Sequence, residues 1–387
     1  MNTNCKHDDS EYGLYQAISE EQKLRTWEAT SDEWGLPFMS VQDYVAREKI
    51  QSNSNFTRNN ITYWLYGKKA EFEKDPATLN FVSHAETYDR KAILRKANTS
   101  EVTDITCKGV ASVFCRHEHR KKGHGKAMMS ELYQKLSQIS GISNLYSDIG
   151  DTFYSSLGWD VYPYLVVEIP TFSQKNTTII NSTKSDSVSL MDKDMARRFI
   201  TADAIVARQE LEEAPVAEHA RFMILPTADT LDWRWIRDEY EGVQILKVQG
   251  FPNVFGAFNN SGIGNIDDVL NTILSSKSPN DIPASSLLPS FIIWTPRYRK
   301  QKIRILRARF NSAQDIKPLL DVAIAEANRL NLPKVVLWNA DKAFHTTLKS
   351  QLDAEFVVLK DNLPSVATFF ENNKNCEWLL NENYCWN

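Results

Sequence analysis

The stretch His117–Leu132, "HEHRKKGHGKAMMSEL", sets three of the chain's seven histidines, four basic residues and two glycines directly before an amphipathic segment. Met128, Leu132, Leu136 and Ile139 recur at i, i+4, i+8 and i+11, one face of a helix, and Gly141 is placed to end it. A helix start carries unpaired backbone N–H groups and a partial positive charge, so a tight loop leading into one makes an anion site. Gly123 and Gly125 allow a ligand close to the backbone, and Arg116, Arg120, Lys121, Lys122 and Lys126 add positive potential. The ligand implied is a phosphate or pyrophosphate.

Upstream, "NITYWLYGKK" (60–69), "LNFVSHAETYDRKAIL" (79–94) and "KGVASVFCR" (108–116) are rich in β-branched and aromatic residues and predict a three-strand meander. Ser19 with Gln22, and Ser40 with Asp43, have capping-box spacing and open two N-terminal helices. Downstream come a strand over 143–147, a short helix over 151–157 and a strand over 160–170, in which Pro163 marks an edge or bulge. The predicted order is β-β-β-α-β-α-β.

The 387 residues exceed what one hydrophobic core usually serves, so two domains are expected. The Ser/Thr/Asn-rich run 171–189 reads as the connection between 1–170 and 190–387. A net charge of −4 excludes any global attraction for nucleic acid or an anionic membrane, so affinity for phosphate must be local. Five scattered cysteines, with no CxxC pair, predict reduced thiols and no zinc site. The polar start "MNTNCKHDDSEYG" lacks the build of a secretory leader, and no apolar run is long enough to span a bilayer. The expected compartment is the cytoplasm, with the nucleus left open.

Arg120-Lys121-Lys122-Gly123-His124-Gly125 matches the R/Q-x-x-G-x-G/A signature of the GCN5-related N-acetyltransferase (GNAT) superfamily. Phe153-Tyr154-Ser155-Ser156-Leu157-Gly158-Trp159 resembles its F-Y-x-x-x-G-F/W element. The resemblance covers residues 12–170 in element order. It departs at Ser147, where superfamily members often carry asparagine. "HAETYDRKA" (84–92), the "FYSSLGW" element, the long second half and the aromatic tail are similar to the fungal lysine N6-acetyltransferase group.

The resemblance implies an α/β chain with a GNAT fold, a mixed and mostly antiparallel sheet with flanking helices, holding acetyl-CoA as cosubstrate and no metal. The backbone near Cys115 would take the pantetheine arm. The loop Arg120, Lys121, Lys122, Gly123, His124, Gly125 and Lys126 would take the pyrophosphate. Tyr154 would protonate the departing thiolate, and a phenol is suited to this because it stays protonated at neutral pH. A lysine ammonium must lose a proton before attack, and Glu86 and His84, alternate residues of one strand, are the candidate bases, with Asp148 in reserve. Cys115 is not expected to act as a covalent nucleophile. The expected activity is acetylation of a primary amine, the N6 amine of free L-lysine, by direct transfer in a ternary complex. Protein or peptide lysine acetylation, and a non-catalytic CoA-binding regulator, are the alternatives; oligomeric state stays open.

In the second half, a strand over 302–310, a helix over 313–330 and a strand over 334–338 predict a parallel pair with a right-handed crossover. The Gly/Asn/Ser/Pro-rich segment 258–289 reads as an insertion. Within it "NNSGIG" (259–264) mimics the loop's glycine spacing, which raises a degenerate second GNAT-like fold, although Asp267 and Asp268 would repel a pyrophosphate. The basic run "RYRKQKIRILRARF" (297–310) alternates Ile303 and Ile305 with Lys302 and Arg304, so it is read as the solvated face of a strand, and nucleic-acid partners are not expected. Selection of a free amino acid requires a carboxylate partner and a side wall. Arg221, within "HARFMILP" (219–226), and the tail 376–387 are the candidates.

Overall fold

The structure, a computed structural model, describes residues 11–172, 187–276, 288–370 and 375–386. The expected leaderless start, most of the connection and the later part of the insertion fall outside the described residues.

The first half runs β1 (Tyr12–Gln16), helices Glu20–Trp34 and Val41–Ser52, β2 (Ile61–Lys68), β3 (Phe81–Arg95), β4 (Val102–Cys115), helix His124–Ile139, β5 (Ile142–Ser147), helix Thr152–Ser155, β6 (Asp160–Val161) and β7 (Val166–Pro170). The second half repeats this order. It runs β8 (Val188–Met191), helix Lys193–Glu213, β9 (Arg221–Ile224), helix Ala228–Glu239, β10 (Gly256–Asn259), helix Ile266–Ser275, β11 (Phe291–Arg297), β12 (Lys302–Arg309), helix Ile316–Arg329, β13 (Lys334–Trp338), helix His345–Leu352, β14 (Glu355–Val357), β15 (Leu363–Thr368) and β16 (Glu377–Leu379). Among the described residues β9 and β16 are additions to the shared plan, and helix Ile266–Ser275 stands where the first half has the shorter helix Lys69–Lys74, between β2 and β3. The chain is α/β, with two GNAT-like halves.

Local chemistry explains the elements read from sequence. Ser19 closes its capping box: its Oγ accepts from Gln22 N at 3.1 Å, while Gln22 Oε1 accepts from Ser19 N at 3.2 Å. Helix His124–Ile139 buries Met128, Met129, Leu132 and Leu136 against the sheet; Ile139, expected on the same face, is exposed because the helix ends there. The β12–β13 pair is parallel as expected, with Ile303 opposite Val335.

One sheet runs β1-β2-β3-β4-β5-β15-β6, with β9 on β3 and β16 on β9; the other runs β14-β7-β13-β12-β11-β10-β8. Each half lends its last long strand to the other. β7 pairs antiparallel with β13 and β14, and β15 pairs antiparallel with β5 and β6. The single strand expected over 160–170 is therefore two strands in two sheets. Between them lies Pro163, which has no N–H to give to a ladder.

The basic run is not a solvated face. Arg307 and Arg309 share the buried Asp203 carboxylate, with Nε–O distances of 2.7 and 2.8 Å, and Arg307 also reaches Glu382 at 2.5 Å. Glu382 Oε2 further accepts from the backbone N–H of Ala308 at 2.8 Å, tying the tail to β12. Removing one partner of such a group leaves a buried charge unanswered. Glu382→Ala is expected to lower stability by about 3 kcal/mol, measured as a shift of the urea midpoint at constant slope.

Candidate active site

The loop before helix His124–Ile139 has the geometry of an anion cradle. Lys121 and Gly123 take φ of 63° and 91°, turning the chain sharply into the helix. The N-cap residue, Gly123, gives no side-chain cap, so the first N–H groups of the helix are left for a ligand. A Cβ built on Gly125 would meet nothing within 4 Å, so the face above the first turn is open. A pyrophosphate fits this cradle.

The basic residues divide by what holds them. Lys121 and Lys126 are exposed, and Lys122 Nζ donates to the Glu118 carbonyl at 2.9 Å. Arg120 donates from Nε to the Cys115 carbonyl at 3.0 Å and meets Glu33 at 3.1 Å, which pins the loop to β4 and to helix Glu20–Trp34. Arg116 lies over the Phe81 ring at 4.1 Å and donates to the Leu79 carbonyl, so its charge serves the sheet rather than the cradle. His124 contributes backbone: its imidazole is buried beside the Tyr12 ring at 4.7 Å.

β4 and β5 diverge at the cradle. Their parallel ladder joins Cys107 to Ile142, Lys108 to Ser143 and Gly109 to Asn144, and stops there. The remainder of β4, up to Cys115, pairs only with β3 among the described residues, leaving its other edge for an extended ligand such as a pantetheine arm. A bulge sits at this point: Glu86 faces Ala111 but His84 faces Phe114, and Ser112 takes φ of 52°. Burial pushes the Cys115 thiol up, so it is a poor nucleophile.

The bulge aims Ser112 Oγ at Glu86 Oε2, 2.8 Å away, and the Tyr88 hydroxyl donates to the same oxygen at 2.8 Å. Burial, and next the Glu48 carboxylate, raise the Glu86 carboxyl to about 7. His84 has the opposite setting. It is fully buried between Phe81 and Phe114, neither ring nitrogen has a hydrogen-bond partner among the described residues, and burial followed by the Arg116 charge lowers its pKa to about 3. Of the two, only Glu86 can exchange a proton near neutral pH.

Tyr154 stands on helix Thr152–Ser155, edge-on to Phe153 with ring centroids 5.0 Å apart. Burial, and then the nearby Asp148, push its phenol above the ordinary range, so it remains a proton donor at any physiological pH. Asp148 lies at the rim; partial desolvation and then Asp361 raise its carboxyl. Ser147 is buried and shapes the turn after β5: its Oγ donates to the Gly150 carbonyl at 2.5 Å and accepts from Ile149 N at 3.3 Å.

The second half has the same divergence between β12 and β13 but a different loop before its helix. By element order its counterpart of the loop is 310–315, not "NNSGIG". Here Asp315 begins helix Ile316–Arg329, and its carboxylate accepts from Asn259 Nδ2 at 2.6 Å, Ser290 Oγ at 2.7 Å and Ser312 Oγ at 2.9 Å. That carboxylate is held by those three side chains and makes no cap to the first turn of the helix. The tail occupies the free edge of β12, because Glu382 accepts from the Ala308 N–H beyond the last β12–β13 pair, Arg304 with Val336. At "NNSGIG" the next helix is capped by Asn265, and Asp267 is paired with Arg198.

Arg221 is not near the cradle. It pairs opposite Arg95 at the far end of β3, while Cys115 pairs opposite Ser83, a separation of roughly 40 Å along the strand at ~3.4 Å per residue. Its guanidinium donates to the Pro215 carbonyl. The end of the tail reaches the point where β4 leaves β5, since the Cys385 carbonyl accepts from Asn144 Nδ2 at 3.5 Å. Trp386 lies 4.4 Å from the Arg234 guanidinium and 5.0 Å from that of Arg237. These arginines, on helix Ala228–Glu239, carry no motif; the one sequence signal was two arginines three apart beside tryptophans.

The fold, with an open anion cradle in the first half, is that of the GCN5-related N-acetyltransferases. The chain shares its fold with a GCN5-related N-acetyltransferase from Kribbella flavida, at 13% identity and a TM-score of 0.53, over 93% of this chain and 72% of that one. It also shares it with a GCN5-related N-acetyltransferase from Anabaena variabilis, at 14% identity and a TM-score of 0.52, over 93% and 73%. A protein of Yarrowia lipolytica named lysine acetyltransferase is 22% identical, over 81% of each chain. Residues 171–387 match the family described as the LYC1 GNAT-like C-terminal domain, and the chain belongs to that family. It is an N-acetyltransferase of GNAT type, a class that uses acetyl-CoA. Among the described residues no group of side chains could hold a metal ion, and no helix is long and apolar enough to cross a membrane.

Proposed function

We propose that this enzyme acetylates the N6 amine of free L-lysine by direct transfer, with the amine and acetyl-CoA bound together. The observation that carries it is a buried carboxyl titrating near 7 at the bulge where β4 leaves β5, on the sheet whose next segment carries a phenol that stays protonated. Acetyl-CoA supplies the activated acyl group as a thioester. Glu86 Oε accepts the proton of the lysine ammonium, and the Ser112 and Tyr88 hydroxyls keep its ionised form accessible. Backbone N–H groups freed along β4 face the acyl oxygen, and the Tyr154 phenol gives its proton to the departing sulfur. The first half carries the chemistry and the second walls the acceptor side. The choice of lysine is supported by the name of the Yarrowia relative.

CoA release measured with L-lysine, polyamines and histone peptides tests the proposal. Turnover restricted to free lysine supports it, peptide turnover favours protein acetylation, and binding of acetyl-CoA without release to any amine leaves a regulator.

Glu86 also sets a pH dependence. Its carboxyl, pushed up to about 7 by burial, lies above the ordinary glutamate range near 4.5, so the folded protein holds more protons between those values and stability falls as pH rises through that window. Activity moves the other way, because the base must be ionised. Glu86→Gln is therefore expected to lower kcat about 30-fold and to remove the rise in kcat/KM near pH 7. Its melting temperature should exceed that of the unmodified enzyme at pH 8 but not at pH 5. Equal pH–rate profiles for the two proteins would exclude Glu86 as the base.

A further inference from the structure

Helix Ala228–Glu239 packs against helix Val41–Ser52 and brings Arg234 and Arg237 together with Arg304 of β12 around Trp386, while Arg297 of β11 joins them through Asp238. The carboxylates present are already committed. Asp238 meets Arg237 Nε and Arg297 Nη1, each at 3.0 Å, and accepts from Thr295 Oγ1 at 2.7 Å. Glu241 meets Arg47 at 2.8 Å and Arg297 at 3.9 Å.

Arg234 is left over. It is 1% exposed, and none of its three guanidinium nitrogens has a hydrogen-bond partner among the described residues. Arg304 Nε and the buried hydroxyls of Tyr146 and Tyr164 are also without one. Arg304, Tyr146 and Tyr164 gather around Trp338, at 5.6, 5.9 and 4.8 Å. Burial and the charges of Arg237 and Arg304 lower the Arg234 pKa well below its ordinary value, showing how poorly the cation is compensated. A buried guanidinium without an acceptor costs several kcal/mol, and this group consists of hydrogen-bond donors and charges of one sign. Among the described residues no anion hydrogen-bonds to Arg234.

The shape narrows the choice. The indoles of Trp233 and Trp386 lie 4.8 and 4.4 Å from the Arg234 guanidinium, which leaves the in-plane edge for hydrogen bonding, the edge that pairs bidentately with a planar carboxylate. The location ties it to the acceptor. Trp233 packs 5.7 Å from the Tyr88 ring, whose hydroxyl is on Glu86, and Tyr164 lies in the field of both Arg304 and Asp361, the latter adjoining Asp148 and through it Tyr154.

We propose that Arg234, aided by Arg304 and the Tyr146 and Tyr164 hydroxyls, binds the carboxylate of the acceptor, so that the substrate is a free amino acid with its reacting amine at the far end of the side chain. The proposal rests on the acetyl-transfer reading above and adds the residue that selects the substrate. It replaces Arg221 in that role.

The test compares L-lysine with cadaverine, which has the same amine and no carboxylate, and with lysinamide, using the unmodified enzyme. The kcat/KM for lysine should exceed that for either analogue about 10²-fold. Arg234→Gln should raise the lysine KM about 10²-fold, leave the KM for acetyl-CoA in place, and cut the lysine-to-cadaverine ratio by a similar factor; Arg234→Lys should restore only part. Calorimetry with L-norleucine, which has the carboxylate but no side-chain amine, reads the pocket without turnover. Arg234-dependent norleucine binding supports the pocket even if no amine is acetylated, an outcome that would sink the acetyl-transfer reading alone. Cadaverine used as well as lysine, or norleucine binding indifferent to Arg234, overturns the pocket while acetyl transfer stands.

Discussion

Gly125→Asp is expected to weaken acetyl-CoA binding about 10³-fold while the protein unfolds at an unchanged temperature. The new carboxylate would stand over the first turn of helix His124–Ile139, where uncapped N–H groups otherwise await a pyrophosphate, and two anions cannot share that place. The fold should accept the side chain because a Cβ there meets nothing within 4 Å and the residue lies in the helix. Gly123→Asp is a less clean experiment: φ at Gly123 is 91°, so any side chain there strains the turn by about 1–2 kcal/mol. Isothermal calorimetry with acetyl-CoA, beside a thermal melt, separates the two effects. Unchanged affinity of Gly125→Asp would remove the cradle assignment.

Tyr154→Phe should reduce kcat about 10³-fold with little change in the acetyl-CoA dissociation constant. The ring packs against Phe153, and phenylalanine retains that contact, so only the dissociable proton is lost. An interaction made only as the sulfur departs appears in kcat and not in binding. Single-turnover measurement of CoA release, with binding measured separately, reads the split. Equal losses in both would return Tyr154 to packing.

What the sequence made legible was local. Glycine spacing and the i, i+4 recurrence of Met128, Leu132 and Leu136 located the cradle and its helix, because both depend on neighbours within a few turns. Alternation along 297–310 was legible too, but its meaning was not: the partners that bury Arg307 and Arg309 are Asp203 and Glu382, some 75 to 106 positions away in the chain. The same limit hid the strand exchange, since nothing in "LVVEIP" shows which sheet it will join. Arg221 failed as a carboxylate partner because a residue type states a capability and not a location. Arg234 was overlooked because an unanswered charge is visible only once its surroundings are known. Glu86 and His84 are indistinguishable as alternate residues of one strand; burial raises the carboxyl, which Ser112 and Tyr88 hold by hydrogen bonds, and burial followed by the Arg116 charge lowers the imidazole, making one a proton acceptor and the other inert packing.

The reciprocal loan of β7 and β15 bears on how the polypeptide matures at the ribosome. β5 has a partner on its outer edge only when residues 363–368 exist, 216 positions after Ser147. At ~5–20 residues per second, translation leaves that edge unmatched for roughly 10–40 s after the cradle has been made. Each half's sheet is complete only when the strand lent by the other half is in place, and until then the nascent first half presents a bare strand edge open to wrong partners.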